Sequence, residues 1–470
     1  MTATVPIRQT TAAIPGRTRL AYENARADGQ SNVNQGTPKI VTAFLISLLI
    51  PFIIEIGEIA LQPHRIVILT CMPYLLIRLA SGKAGKITSV DIFIFLAAIW
   101  CLFAYSIVTS NLLRSALGTR LQFAFSFFFE MYGGFLIARV GIQSAEDLRR
   151  VARFLFYFAL VALPLAAVEA ISHKAFLMDL LGRVPAYDVR FGMRRAQVVF
   201  GHPILYGTFV SSAMGLVWYT FRPESTMVAR IGRSVFVFVA LFFSFSMGAI
   251  MSFLVQSGSI VYERLFKDIP RRWTLLFGGV ISMYILVDIV AKSSPFAIFV
   301  RYLTFNQQAS YTRIKQFEAG VDNIISRPIL GFGSGTWDKP VGWVTGSIDN
   351  FWLLSAMQFG LPAFLLLATG LIILLRRLSL KPLSDELDIA SRAGVLTSMG
   401  GIIFAGATVH YWQGMLAFVM FIFGSGVWIL SRPDASPSGT DAASDPGVEA
   451  ASPEPPANGK KKFVPYGREG

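Results

Sequence analysis

The sequence predicts an all-α polytopic membrane protein, with about twelve transmembrane helices and a large external loop between the ninth and tenth. Three observations carry this expectation. Of 470 residues, 54% are hydrophobic, only 15% are charged and 40 are Phe, more apolar surface than a soluble core hides. The apolar residues gather in runs of about 20, the length an α-helix needs at ~1.5 Å per residue to cross a ~30 Å hydrocarbon core. The 42 Lys and Arg, against 28 Asp and Glu, fall mainly between those runs, as the positive-inside bias requires. That bias also accounts for the +14 net charge, so no nucleic-acid partner is expected.

Taken in order, residues 1–38 are polar and carry Arg8, Arg17, Arg19 and Arg26 before any apolar run. They read as a disordered cytoplasmic tail and not as a cleavable signal peptide. A transmembrane domain is expected over 39–431, with spans near 40–57, 64–80, 90–109, 120–138, 151–171, 197–220, 272–291, 350–375, 393–410 and 413–430. The run 232–264 is too long for one span. As one span it would place Arg264, Lys267, Arg271 and Arg272 outside, so it is expected to break at Ser244–Gly248 into a hairpin. Twelve spans with both termini cytoplasmic follow. The inner loops then carry Lys83, Lys86, Arg139, Arg149, Arg150, Arg222, Arg230, Arg233, Arg376, Arg377, Lys381 and Arg392. Residues 432–470, rich in Ala, Ser, Pro and Asp, form a second disordered cytoplasmic tail.

Two loops are long on the outer side, about 172–196 and about 292–349. In the second, Ile314, Phe317, Val321, Ile324 and Ile325 recur at helical spacing, with Arg313, Gln316 and Asn323 on the other face. Pro328 disfavours helical geometry at Arg327 and ends this helix. The following 329-ILGFGSGTW-337 allows tight turns or close backbone approach, but no Gly-Lys-Ser/Thr follows, so a nucleotide loop is not indicated. At re-entry, 347-SIDNFWLL-354 leaves two roles open to Asp349: cap of the incoming helix, or a general base tuned upward by low dielectric. In the first outer loop, Arg190, Arg194 and Arg195 either snorkel to lipid headgroups or bind an anion, since guanidinium matches phosphate bidentately. His64, His173, His202 and His410 lack ligand spacing, and Cys71 and Cys101 sit in apolar runs. No metal site and no cofactor are expected.

Four strings together resemble the O-antigen ligase and polymerase superfamily: 195-RAQVVFGHPILYG-207, 244-SFSMGAIMSF-253, the pair SYTRIKQF and SRPILGFGSGTW in the large loop, and SIDNFWLL followed by FGLP. The resemblance covers roughly residues 40–430. Where such proteins typically carry Ser-Arg-Gly in the hairpin, this chain has Ser246-Met247-Gly248. Where the ligases usually carry a histidine followed by asparagine, it has Asp349-Asn350, which looks more like the exopolysaccharide and capsule polymerase branch.

The resemblance implies a GT-C-like glycosyltransferase in the bacterial cytoplasmic membrane. It would be a polymerase that joins undecaprenyl-diphosphate-linked repeat units at the outer face without metal. The alternatives are an O-antigen ligase with another acceptor, a lipid-linked oligosaccharide flippase using Glu55, Glu58, Glu130 or Glu169, and a non-catalytic assembly scaffold. On the polymerase reading, Asp349 takes the acceptor proton and Arg313, Arg194 and Arg195 clamp the diphosphate. Asn350 orients the acceptor or caps the helix, and Arg190, His202 and Arg327 complete the expected substrate-binding set. Its partners would be the lipid-linked glycan, membrane lipid and other polysaccharide assembly proteins.

Overall fold

The computed structural model describes residues 36–56, 59–108, 117–221, 225–269, 271–291, 295–302, 307–333, 337–339 and 346–434. Almost all of both expected tails lies outside these residues, as do Glu58, Arg222 and positions 334–336 of the glycine-rich string.

The first helix, α1 (Pro38–Leu48), starts with proline, whose missing amide is harmless there. It stops short because Pro51 disfavours helical geometry at Ile50. Its 11 residues reach only ~16 Å, so the span expected at 40–57 is instead a short helix and a hairpin. That hairpin pairs β1 (Ile54–Ile56) antiparallel with β2 (Ile59–Leu61), which also departs from an all-α chain. Two long apolar helices follow, α2 (Pro63–Ala80) and α3 (Ser89–Ile107). Thr88 and Asp91 form a capping box at the start of α3. The next segment, α4 (Leu117–Phe128), passes through a π turn at Phe129–Gly133 into α5 (Gly134–Gly141).

The longer α6 (Ala145–Ser172) is capped by Ser144 and ends where His173 turns left-handed. The outer-loop segment holds α7 (Phe176–Leu180) and a ribbon of β3 (Val189–Arg190) with β4 (Met193–Arg194). The expected span at 197–220 becomes helical only at α8 (Pro203–Ser211), which bends at Ser212 into α9 (Ala213–Thr220). The 232–264 run does divide: α10 (Met227–Phe242) and α11 (Met247–Leu265) are separated by Phe243–Ser246. Then come α12 (Arg272–Val290), α13 (Pro295–Tyr302), α14 (Gln307–Ser326), α15 (Phe351–Leu380), α16 (Glu386–Ala405) and α17 (Gly414–Gly424), the last ending in a 3-10 turn at Val427–Ser431.

Among the described residues, eight helices are long and apolar enough to cross a membrane: α2, α3, Leu121–Gly141, α6, α12, α15, α16 and Gly414–Ser431. The chain is thus a mostly helical membrane protein by helix length and composition, with eight such candidates in place of the expected twelve. Helix α17 is apolar on all sides and occupies the centre, every residue from Met415 onward being buried, as an all-round apolar helix requires. It packs on α5, the π turn and α16. On the flanks, α15 lies along α3, α16 lies against α9 and α11, and α14 crosses the first turns of α15.

Candidate active site

The cavity between α14, the start of α15 and the 190–202 segment has a volume of about 670 Å³. Five of the expected site residues line it: Asp349, Arg313, Arg190, Arg195 and His202. Its other walls include Trp337, Lys339, Gln358, His410 and Trp412, which sequence reasoning did not assign to a site.

A proline in α15 brings the large loop to this cavity. Pro362 has no amide to give to the carbonyl of Gln358, and Gly360 leaves helical geometry with φ 78°. The carbonyls freed by this kink are taken up by other donors. Phe332 N donates to Met357 O at 3.0 Å and Gly333 N to Gln358 O at 2.9 Å, while Leu361 N turns to Pro328 O at 2.8 Å. Trp100 Nε1 donates to Phe359 O at 3.0 Å. The glycines of the string therefore serve close backbone approach, but to the kinked helix. A Cβ on Gly331 would strike the Met357 carbonyl, and one on Gly360 would strike Ile329 O.

Helix α14 buries polar as well as apolar positions, and Phe317 and Ile324 pack against the small core of Phe332, Trp337, Ile348, Leu353 and Met357. Gln316 and Asn323 are buried while Ile325 is 71% exposed, because the polar face meets loop backbone that only hydrogen-bonding side chains satisfy. Gln316 Nε2 donates to Ser347 O at 2.8 Å, and its Oε1 accepts from Asp349 N at 3.3 Å. The helix cap is Asn350, whose Oδ1 accepts from Leu353 N at 3.0 Å, so the neighbouring Asp349 is free of that duty. Burial holds the Asp349 carboxyl above the ordinary carboxylate range, against the pull of Arg313 and Arg195. Burial in turn lowers Arg313, opposed by Asp349. The buried Nε of Arg313 has no hydrogen-bond partner.

Arg190 and Arg195 are fixed by the turn between α10 and α11. Arg190 Nη1 donates to Phe245 O and Arg195 Nε to Ser244 O, each at 2.9 Å. Arg195 also pairs with Asp188 at 2.7 Å. Carbonyls at the break of the hairpin thus aim two guanidiniums at the cavity. His202 caps α8, its Nδ1 accepting from Ile204 N at 3.2 Å. Burial and the charge of Arg195 lower its pKa to about 4, so it is neutral at pH 7. Its ring meets Trp412 edge-on at 5.2 Å, and Trp412 stacks on His410 at 5.8 Å.

Three expected site residues lie elsewhere. Arg194 is buried behind the wall, 3.7 Å from Glu169, and donates to His173 O at 3.0 Å and Ala186 O at 3.1 Å. Arg327 is exposed and pairs with Asp338 at 3.6 Å, and Asn350 serves as the cap. Two acidic residues expected of a carrier are held in place: Glu130 by Arg65 at 2.7 Å and His64 at 3.2 Å, and Glu169 by the amides of Gln197 and Val198. The side chains of Glu55 and Glu58 lie outside the described residues. Among the described residues, no group of three or more His, Cys, Asp or Glu is placed to hold a metal ion.

Chemically, the cavity offers one elevated carboxylate, three guanidiniums and an ammonium beside aromatic rings. That suits an anionic leaving group next to a hydroxyl nucleophile. No protein-family model matches this chain, and no curated protein matches it by sequence.

Proposed function

We propose that this chain is a GT-C-like membrane glycosyltransferase, a polysaccharide polymerase that joins undecaprenyl-diphosphate-linked repeat units at the outer face of the bacterial cytoplasmic membrane. The observation that carries the reading is the shared cavity of Asp349, Arg190, Arg195 and Arg313, together with the upward shift of the carboxyl. In this reaction an acceptor hydroxyl attacks the anomeric carbon of the donor sugar. Asp349 takes the hydroxyl proton. The bond from that carbon to the diphosphate oxygen breaks, and undecaprenyl diphosphate leaves with the electron pair.

Arg313 lacks a partner for its Nε and meets the developing negative charge, with Arg190 and Arg195 beside it. Such fixed cations do the electrostatic work without a metal in this proposal. Trp412, Trp337 and His410 supply rings for sugar faces. A twelve-span arrangement adds four crossings to the eight long apolar helices, namely the short α1 continued by the non-helical residues 49–53, the α8–α9 pair, α10 and α11, with both termini cytoplasmic. Membrane lipid and other assembly proteins are the remaining partners. A ligase would use the same groups with a different acceptor. The flippase reading is weaker, because Glu130 and Glu169 are held by neighbouring groups and not displayed in the cavity.

The test is polymerisation of purified lipid-linked repeat units in detergent with chelator present. Wild-type protein is expected to build a ladder of repeats, and Asp349→Asn to be slower by about 10²–10⁴-fold, the range of positioned proton transfer. Near-normal turnover by Asp349→Asn would remove the base from the mechanism. Transfer to a non-glycan lipid acceptor without a ladder would favour the ligase.

A further inference from the structure

We infer that Gln316 is the positioning residue that holds Asp349 in the cavity it shares with Arg313, an inference resting on the proposed role of Asp349 as base. Asp349 belongs to no helix. It lies in the irregular stretch 346–350 that precedes α15, outside the helical hydrogen-bond ladder. Gln316, on α14, reaches across to that stretch with a side chain that is only 3% exposed. One carboxamide grips the chain on both sides of Ile348, donating to Ser347 O at 2.8 Å and accepting from Asp349 N at 3.3 Å.

The grip needs one donor and one acceptor on a planar group at the end of two methylenes. Glutamate lacks the donor, and asparagine is one methylene short. Gln316 follows Arg313 by one helical step of three residues, so the cation and the grip share a face of α14. A rotation or shift of that helix moves both together, and the carboxylate keeps its place relative to the guanidinium. Asn323, a heptad further along the same face, holds Asp338 in a comparable way, with Nδ2 donating to Asp338 O at 3.0 Å and Oδ1 accepting from Asp338 N at 2.8 Å. That second grip is a control, because it holds the loop without touching Asp349.

The experiment measures kcat, KM and the pH dependence of polymerisation for the full-length chain, using lipid-linked repeat units as probe. Gln316→Ala is expected to lower kcat about 10–100-fold with KM within about twofold, since small misplacement of a reacting group is costly. Its acid limb should move to higher pH as the carboxylate drifts from Arg313. Gln316→Glu, close to the native size, should move that limb at least as far, because a second carboxylate opposes ionisation of the first. Asn323→Ala should lower thermal stability and leave the limb in place.

A wild-type limb and kcat in Gln316→Glu would overturn the inference, and this variant decides should Gln316→Ala fail to fold. If Asp349→Asn is inactive in the same assay, that result leaves the function standing and removes only the role of Gln316. An active Asp349→Asn instead defeats the reading of the site itself.

Discussion

Arg194 and Arg195 are adjacent in sequence and have opposite tasks. Arg195 lines the cavity, while Arg194 turns back to the buried Glu169. Arg313→Ala should therefore lower kcat by about 10²–10³, the usual cost of removing one transition-state charge partner, without loss of folded protein. Arg313→Lys should recover only part, because an ammonium lacks the planar fork. Arg194→Ala should instead destabilise the fold by ~3 kcal/mol by leaving a buried carboxylate unpaired, and Arg194→Ala/Glu169→Gln should regain much of it; thermal unfolding in detergent separates the two cases. Asp349 gives a pH prediction with a definite sign. Its folded-state value is raised, so the group stabilises the fold below the ordinary carboxylate pKa, and that contribution is lost as pH rises through the raised value. As a base it must be ionised, so activity should fall as pH drops through that raised value. Arg313→Gln removes a charge that lowers Asp349 and should move this acid limb further up. The residue types were legible in the sequence, and so were Asp349, Arg313, Arg190, Arg195 and His202. Which arginine faces inward was not, because the β3–β4 ribbon and the carbonyls of Ser244 and Phe245 decide it. His410 and Trp412 gave no signal, since an aromatic run between two apolar helices looks like core.

Helix α15 shows how an element supplies what a loop lacks. Pro362 and Gly360 open it, and the freed carbonyls bind the 328–333 backbone, so a break in one helix becomes the anchor for the loop that closes the cavity. Non-helical backbone of this kind is tolerated at membrane depth only where protein satisfies it. Gly360→Ala should be severe: the left-handed φ alone costs ~1–3 kcal/mol, and the new Cβ would meet Ile329 O. A lowered unfolding temperature together with lost polymerisation is expected, and a stable, active variant would show that the anchor is dispensable. The sequence announced the glycines of 329–337 and a helix within 310–328 that ends at Pro328, but not the kink at Gly360 and Pro362. It did not show that they answer each other, because the pairing joins residues about thirty apart in sequence through bonds that leave no periodicity. The same limit hid part of the buried surface of α14. Apolar spacing finds Phe317 and Ile324, which pack on an apolar cluster, but not Gln316 and Asn323, which satisfy loop backbone. The short α1 is a third case: hydropathy continued past Pro51, but helical geometry did not.

At the scale of the molecule, the loops sort to two ends. The cavity end gathers 190–202, the turn 243–246, the start of α15 and the 406–413 connection, through bonds such as Ala196 N to Phe243 O at 2.8 Å and Phe351 N to Val409 O at 3.1 Å. At the opposite end, Arg139 pairs with Asp91 at 2.8 Å, Arg432 with Asp388 at 2.9 Å and Lys381 with Asp434 at 2.6 Å. Residue 37 joins that second end, since Thr37 N donates to Gly141 O at 3.0 Å. The helical body is therefore entered near residue 37 and left near residue 432 on one side, which requires an even number of crossings between them. The cationic segments belong to this side as well: Lys83 and Lys86 precede α3, Arg149 and Arg150 open α6, Arg264 lies in the last turn of α11 and Lys267 follows it. On the proposed function, the positive-inside rule would make that end cytoplasmic and open the cavity outward. Single cysteines placed in a chain freed of Cys71 and Cys101 test this. Val184→Cys and Glu318→Cys should react with a membrane-impermeant thiol reagent in intact spheroplasts, whereas Lys267→Cys and Ser384→Cys should react only after the membrane is opened. Exchange of the two sets would place the cavity inside and rule out chemistry at the outer face. Labelling of Lys267→Cys together with Val184→Cys would mean that α10 and α11 do not cross as a hairpin, and the even count would then have to be met by other helices.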